Sequence, residues 1–207
     1  MTDAPDAGPR WEGPASVVVL VEGASDRAAL TVLAERRQLL AGIEVRAMGG
    51  ATNVRRHLGE LLSDAVPRRV LGLTDEPEEP FFVRALAAAG VPITSVDDLA
   101  AHGFHTCRRD LEDELIRALG ADRVRAVLHD LDLGQTFERF CRQRAWRGRP
   151  THEQLHRFAG TVSGRKSVFA RGLAAALDDD AVPEPLRHLL DDIARARAAG
   201  ASGASPP

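Results

Sequence analysis

Val17-Val18-Val19-Leu20-Val21-Glu22-Gly23-Ala24-Ser25-Asp26 decides the fold. An unbroken apolar run ends in an acid, then a glycine, then a second acid one helical turn further on. A strand that is apolar at every position is one covered on both faces, the condition of an inner strand in a parallel sheet. The same pattern returns at Val70-Leu71-Gly72-Leu73-Thr74-Asp75. A carboxylate beside such a core is costly to desolvate unless something cationic meets it. Taken singly, Glu22 reads as a helix cap and Asp75 as a solvated loop acid. Their recurrence at two strand ends points instead to a metal site, because the crevice at the carboxyl ends of parallel strands is where ligands bind. Hard divalent cations choose oxygen ligands, and the two cysteines, Cys107 and Cys141, cannot build a zinc cluster alone. The expected cofactor is Mg2+ or Mn2+, as two ions.

The rest of the chain fits around that site. The first strand leads into a helix over Ser25–Arg37, with Ser25 placed to cap it, and a second strand follows at Ile43–Met48. Gly49-Gly50-Ala51-Thr52-Asn53 turns into a helix that reaches Leu62. Strand Arg69–Thr74, a helix over Pro80–Ala89, a fourth strand at Gly103–Cys107 and a helix from Asp110 to Leu119 complete the alternation, which indicates a mostly parallel four-stranded α/β sheet. Beyond Asp122 only helical periodicity remains, near 123–130, 135–143, 152–158, 167–177 and 185–198. The expected organisation is a disordered stretch at 1–14, the α/β domain at 15–120, a helical extension at 121–197 and a disordered tail at 198–207.

Composition limits the function. The chain has 207 residues and a net charge of −3, so its overall field does not announce nucleic acid, and any basic surface must be local. Between Arg139 and Arg171 nine cations face one acid, Glu153, for a local charge of +8. Arg142, Arg144, Arg147, Arg149 and Arg165 are the candidate phosphate contacts there, and the interleaved Phe140, Trp146 and Phe158 are candidates to stack a base. With no apolar signal segment and no apolar run long enough to span a bilayer, the expectation is a cytoplasmic protein without a membrane.

Three further motifs carry chemistry. Glu76, Glu78 and Glu79 follow Asp75, and Glu78 and Glu79, three and four residues past it, are placed to loop back toward an ion there. Asp110-Leu111-Glu112-Asp113-Glu114 stacks like charges on the first turns of a helix, a repulsion that cations relieve. Lys166 is the sole lysine among 27 basic residues, and it stands at a helix entry in Ser163-Gly164-Arg165-Lys166-Ser167, where a compact ammonium suits one phosphate oxygen. The spacing from Gly160 is GxxxGxKS rather than GxxxxGK[ST], which excludes a P-loop ATPase. No glycine-rich dinucleotide fingerprint follows the first strand, which argues against a dinucleotide binder.

These residues resemble a known family. Val17–Leu30, Gly49–Asn53 and Leu73-Thr74-Asp75 look like a TOPRIM domain, the Rossmann-like fold shared by topoisomerases, primases and several nucleases. Asp110–Leu115 and Lys166 resemble specifically the OLD-family (overcoming lysogenization defect) nucleases, over about Ser16 to Leu177. The absence of tyrosine removes a topoisomerase nucleophile. The resemblance implies a metal-dependent endonuclease acting on DNA, with RNA left open. Its catalytic residues would be Glu22, Asp75 and Lys166, and its metal ligands Glu22, Asp26, Asp75, Glu79, Asp110, Glu112 and Glu114. OLD nucleases usually carry an ATPase before this domain, so a free-standing nuclease or a chain with a separate ATPase partner is expected. The alternative is a catalytically inactive module that binds nucleic acid or that ATPase. TOPRIM domains usually carry Asp-x-Asp after the third strand, and Pro77 stands at the second of those positions here.

Overall fold

The computed structural model describes residues 17–161 and 166–202. The expected tail at 1–14, Ser163-Gly164-Arg165 and residues 203–207 lie outside the described residues. Helix periodicity does not stop at the expected start of the C-terminal tail: the alanine-rich stretch from Ala198 continues the last helix to Ser202.

Strand β1 (Val17–Val21) pairs in parallel with β2 (Ile43–Ala47) on one side and β3 (Arg69–Asp75) on the other, and β4 (Phe104–Cys107) pairs in parallel with β3. The order is β2-β1-β3-β4. All five residues of β1 are fully buried because each side chain has a covered face to enter. Val18 and Leu20 enter a cluster with Val54, Leu58 and Leu61 of α2 (Val54–Leu62) and Phe82 and Leu86 of α3 (Glu79–Ala88). Val17, Val19 and Val21 enter the opposite cluster with α1 (Ala24–Arg36). That cluster also takes in α4 (Leu111–Asp130), α5 (Gly134–Cys141), α6 (Thr151–Ala159), α7 (Lys166–Ala176) and α8 (Glu184–Ser202), so the later helices share one apolar core with the sheet.

Three local features position the site. Helix α1 is capped at Gly23, not Ser25: the Asp26 carboxylate accepts a 2.6 Å hydrogen bond from the Gly23 amide, and Ser25 is buried inside the first turn. A carboxylate three residues into the helix reaches back to the capping amide more readily than a serine already inside the helix can. The two helices read at 110–119 and 123–130 are arms of α4, bent where Gly120 takes φ 73° and ψ 161°. Helix α7 lies against α1 and α4, which carries Lys166 to the carboxyl edge of the sheet.

One glycine is required by close approach. A Cβ on Gly72 of β3 would stand 2.4 Å from the Phe104 ring on the neighbouring strand, and that ring packs edge-on against Phe82 at 5.9 Å. Gly72→Ala overpacks this contact and is expected to lower stability by about 1–3 kcal/mol, measured as a shift of the urea midpoint at unchanged slope.

Candidate metal centre

The acids at the strand ends lie along the carboxyl edge that the sheet's register sets, near enough to act on one another's charge. Glu22 follows β1 directly, and its backbone carbonyl accepts from the Gly49 and Gly50 amides at 3.0 and 3.1 Å, which ties the β2 turn to it. Asp26 sits one turn into α1 and is buried. Asp75 closes β3, opposite Cys107 of β4. Glu112 lies in the first turn of α4, 6% exposed. Lys166 Nζ opens α7 at 3.2 Å from Glu112 Oε1. The approach lies at ion-pair distance but outside hydrogen-bond geometry, and Glu112 Oε1 accepts no hydrogen bond among the described residues.

The charges act on each other. Burial pushes Asp75 up to about 8, and the charges of Asp26, Glu22, Asp110 and Glu112 add to it. Burial raises Asp26 to about 7, against the opposing pull of the Gly23 amide, with Glu112 and Glu22 adding. Glu22 is raised by burial first and then by Glu78, with Lys166 partly offsetting. Burial works to lower Lys166, but the negative charges of Glu112, Asp26 and Asp110 outweigh it and hold the ammonium above its ordinary value. Cys107 lies fully buried beneath the acids, its thiol pushed well up by burial and by Asp75. Proximity of unpaired carboxylates with one cation is the electrostatic pattern of a cation site.

The remaining predicted acids have other partners. Asp110 caps α4 by accepting from the Asp113 amide at 2.8 Å, and its second oxygen lies 2.7 Å from His156 Nε2. Glu114 accepts from the Arg108 amide at 2.9 Å and pairs with Arg117 at 2.8 Å. Of the acids after Asp75, Glu78 is the one whose charge bears on Glu22, while Glu79 opens α3, partly buried. Among the described residues no three acidic, histidine or cysteine side chains stand close enough together to cage an ion.

Sequence reasoning missed Arg117 and the histidines of α6. His152 Nε2 lies 2.8 Å from Asp113 Oδ1, one turn along α6 from the His156–Asp110 contact. Asp113 is 6% exposed, and burial alone would raise it, but His152 and Arg117 together hold it below its ordinary value. The signal was present in His152-x-x-x-His156, which places both rings on one helical face.

The basic surface is only partly what its sequence suggests. Arg142, Arg144, Arg147 and Arg149 are exposed, and Arg165 lies outside the described residues. Arg142 and Arg147 line a cavity of about 440 Å³ with Arg125 and Phe137, away from the acids. Phe140 and Phe158 do not present faces to a base: they are 8% and 3% exposed and pack on each other with ring centroids 5.5 Å apart. The aromatic spacing reflects a helical core face rather than a stacking surface. Trp146 alone stays half-buried, stacked on Phe140 at 5.3 Å.

The chain has an α/β fold with a four-stranded parallel sheet, acids ending β1 and β3, and a third acidic set opening the helix after β4. Among solved structures, the chain shares it with the C-terminal region of the OLD protein of Xanthomonas campestris pv. campestris, at a TM-score of 0.68 and 21% identity over 92% of this chain and 98% of that one. The C-terminal region of the Burkholderia pseudomallei OLD protein matches at a TM-score of 0.66 and 20% identity, over 88% and 98% of the two chains. At such identities the likeness concerns the fold. No protein-family model matches the sequence, and no curated protein matches it. No helix among the described residues is long and apolar enough to cross a membrane.

The raised carboxyls predict a pH signature. Asp26 and Asp75 titrate near 7 and 8 when folded and near 4 when unfolded, so between those limits the native chain binds more protons and stability falls as pH rises. In chelator, thermal melting should fall from pH 5 to pH 8. Asp75→Asn should melt higher than the unmutated chain at pH 8, with the difference closing toward pH 4.

Proposed function

We propose that the chain is a divalent-metal-dependent endonuclease that hydrolyses phosphodiester bonds in DNA. The observation that carries this reading is Glu112 Oε1, a buried carboxylate oxygen without a hydrogen bond among the described residues, 3.2 Å from the sole lysine and within the field of Glu22, Asp26 and Asp75. An orphaned buried oxygen among mutually repelling acids suits a hard cation, and an all-oxygen donor set suits Mg2+ or Mn2+. Glu22, Asp26, Asp75 and Glu112 would hold the ions. Glu78, whose charge bears on Glu22, would stand in for the acid that Pro77 replaces, and Asp110 would lie beside them. When bound, two such ions lower the pKa of a water and offset charge on the leaving oxygen.

The chain's own residues do the remaining work. Lys166 stays protonated, because the surrounding acids outweigh its desolvation, and it presents its ammonium to an oxygen of the scissile phosphate. The Gly49 and Gly50 amides fix the backbone at Glu22, so its carboxylate leaves the strand end from a set position. His156 and His152 hold the start of α4 through Asp110 and Asp113. The exposed arginines of 142–149 would hold the phosphate backbone of the substrate outside the crevice. The fold shared with OLD C-terminal regions supports the reading.

A second reading, a catalytically inactive module that binds nucleic acid or a separate ATPase, is favoured by one observation: among the described residues no three ligating side chains are drawn together. Incubation with supercoiled plasmid and Mg2+ or Mn2+ separates the two. Cleavage by the unmutated chain is expected, abolished in Glu22→Gln and reduced by about 10²–10³ in Lys166→Ala. Mn2+ should raise the melting temperature of the unmutated chain more than that of Glu112→Gln. Full cleavage by Glu22→Gln would falsify the site, and DNA binding without any cleavage would favour the inactive module.

A further inference from the structure

A cavity of about 300 Å³ opens beside the acids, lined by Arg109, Trp146, Glu153, His156, Arg157 and Gly160. Its volume sits at the lower end of small-molecule sites, enough for one nucleotide unit. It adjoins the centre through two residues. His156 contacts Asp110 at 2.7 Å, and Arg109 precedes Asp110 in the chain.

The lining is built for an anionic, flat ligand. Arg109 holds a left-handed backbone, φ 68°, that a β-carbon disfavours; its amide donates to Glu76 Oε2 at 3.2 Å and its guanidinium to Asp113 at 3.2 Å, which leaves Arg157 as the uncommitted cation of the lining among the described residues. Arg157 is exposed, with no carboxylate at ion-pair distance among the described residues. Trp146 is backed by the Phe140 ring, so it forms a stiff platform rather than a loose surface aromatic. Glu153, the one acid of the lining, offers an acceptor to a base's amino group.

We propose that this cavity takes the nucleotide next to the scissile phosphate as an unpaired unit, its phosphate on Arg157 and its base on Trp146. This rests on reading the Glu22–Lys166 site as a phosphodiester-cutting centre. A base inside a duplex has both faces stacked on its neighbours and cannot lie on an indole, so the substrate is single-stranded or frayed at the cut.

Trp146 is one of two tryptophans, so Trp11→Phe leaves its emission as the only indole signal. In a Trp11→Phe, Glu22→Gln protein with Mg2+, a fluorescein-labelled oligodeoxycytidylate and the same strand paired to its complement are titrated. Labelled-strand anisotropy and Trp146 emission are read together. The single strand should quench Trp146 and bind more tightly than the duplex. Trp146→Ala should weaken that binding about 5- to 150-fold, with Trp146→Phe restoring most of it. Arg157→Ala, on the surface and harmless to folding, should lower the slope of log affinity against log salt by about 0.7.

Binding without quenching, equal affinity for the duplex, or no binding at all overturns the subsite. Quenching by the single strand, in a chain that leaves plasmid intact, keeps the subsite and removes the nuclease reading. Cleavage without quenching does the reverse.

Discussion

The buried Glu112 carboxylate is the constraint on which this end of the molecule depends. Removing one ion from water costs several kcal/mol even after a protein relaxes around it, and a buried charge left without a partner costs most. Lys166 offsets part of that cost from 3.2 Å, but it is half-exposed and approaches outside hydrogen-bond geometry. The remainder is spread over Asp26 and Asp75, whose protons are held far above the ordinary carboxylate range. Protons on Asp26 and Asp75 therefore relieve part of the repulsion in the crevice, and on the proposed reading a cation entering it would compete with them. On that reading metal affinity would depend on pH, a coupling that comes from burial first and from the neighbouring acids second.

Such an arrangement needs a stiff frame, because like charges separate wherever the backbone permits. Parallel pairing sets Asp75 beside Cys107 and carries β1 to its end at Glu22. The opposing element is α4, whose first turn is held by partners outside the crevice: His156 on Asp110, His152 and Arg117 on Asp113, and the Arg108 amide on Glu114. These contacts absorb three of the four acids in that turn and leave Glu112 as the one directed at Lys166. The turn thus divides its charges into structural and available ones by geometry, not by residue type.

That division explains what could and could not be read from sequence. Apolar runs ending in Glu22 and Asp75 specify inner strands and their carboxyl edge, since only a doubly covered strand tolerates such a run; the order of elements was legible on the same grounds. The roles within Asp110–Glu114 were not, because one turn presents four acids with the same chemistry and their sorting depends on α6, some 40 residues later in the chain. The Ser25 cap failed for a related reason, Asp26 being equally able to reach Gly23 and closer to it in space. Phe140, Trp146 and Phe158 were ambiguous because spacing that places aromatics on one helical face serves a core as well as a ligand.

The arginine bias bears on the same division. Arg117 and Arg109 act as planar forks, bridging carboxylates from several directions and fixing them, which is what guanidinium geometry favours. Lys166 does the opposite. Its ammonium approaches Glu112 Oε1 at 3.2 Å without a hydrogen bond, so the acid is partly neutralised without being locked. An arginine in its place would tend to chelate Glu112 through both oxygens and convert an available ligand into a structural one. On the proposed metal-dependent reading, a single lysine in a chain that otherwise uses arginine falls at the one position where a loosely held carboxylate would serve as a ligand.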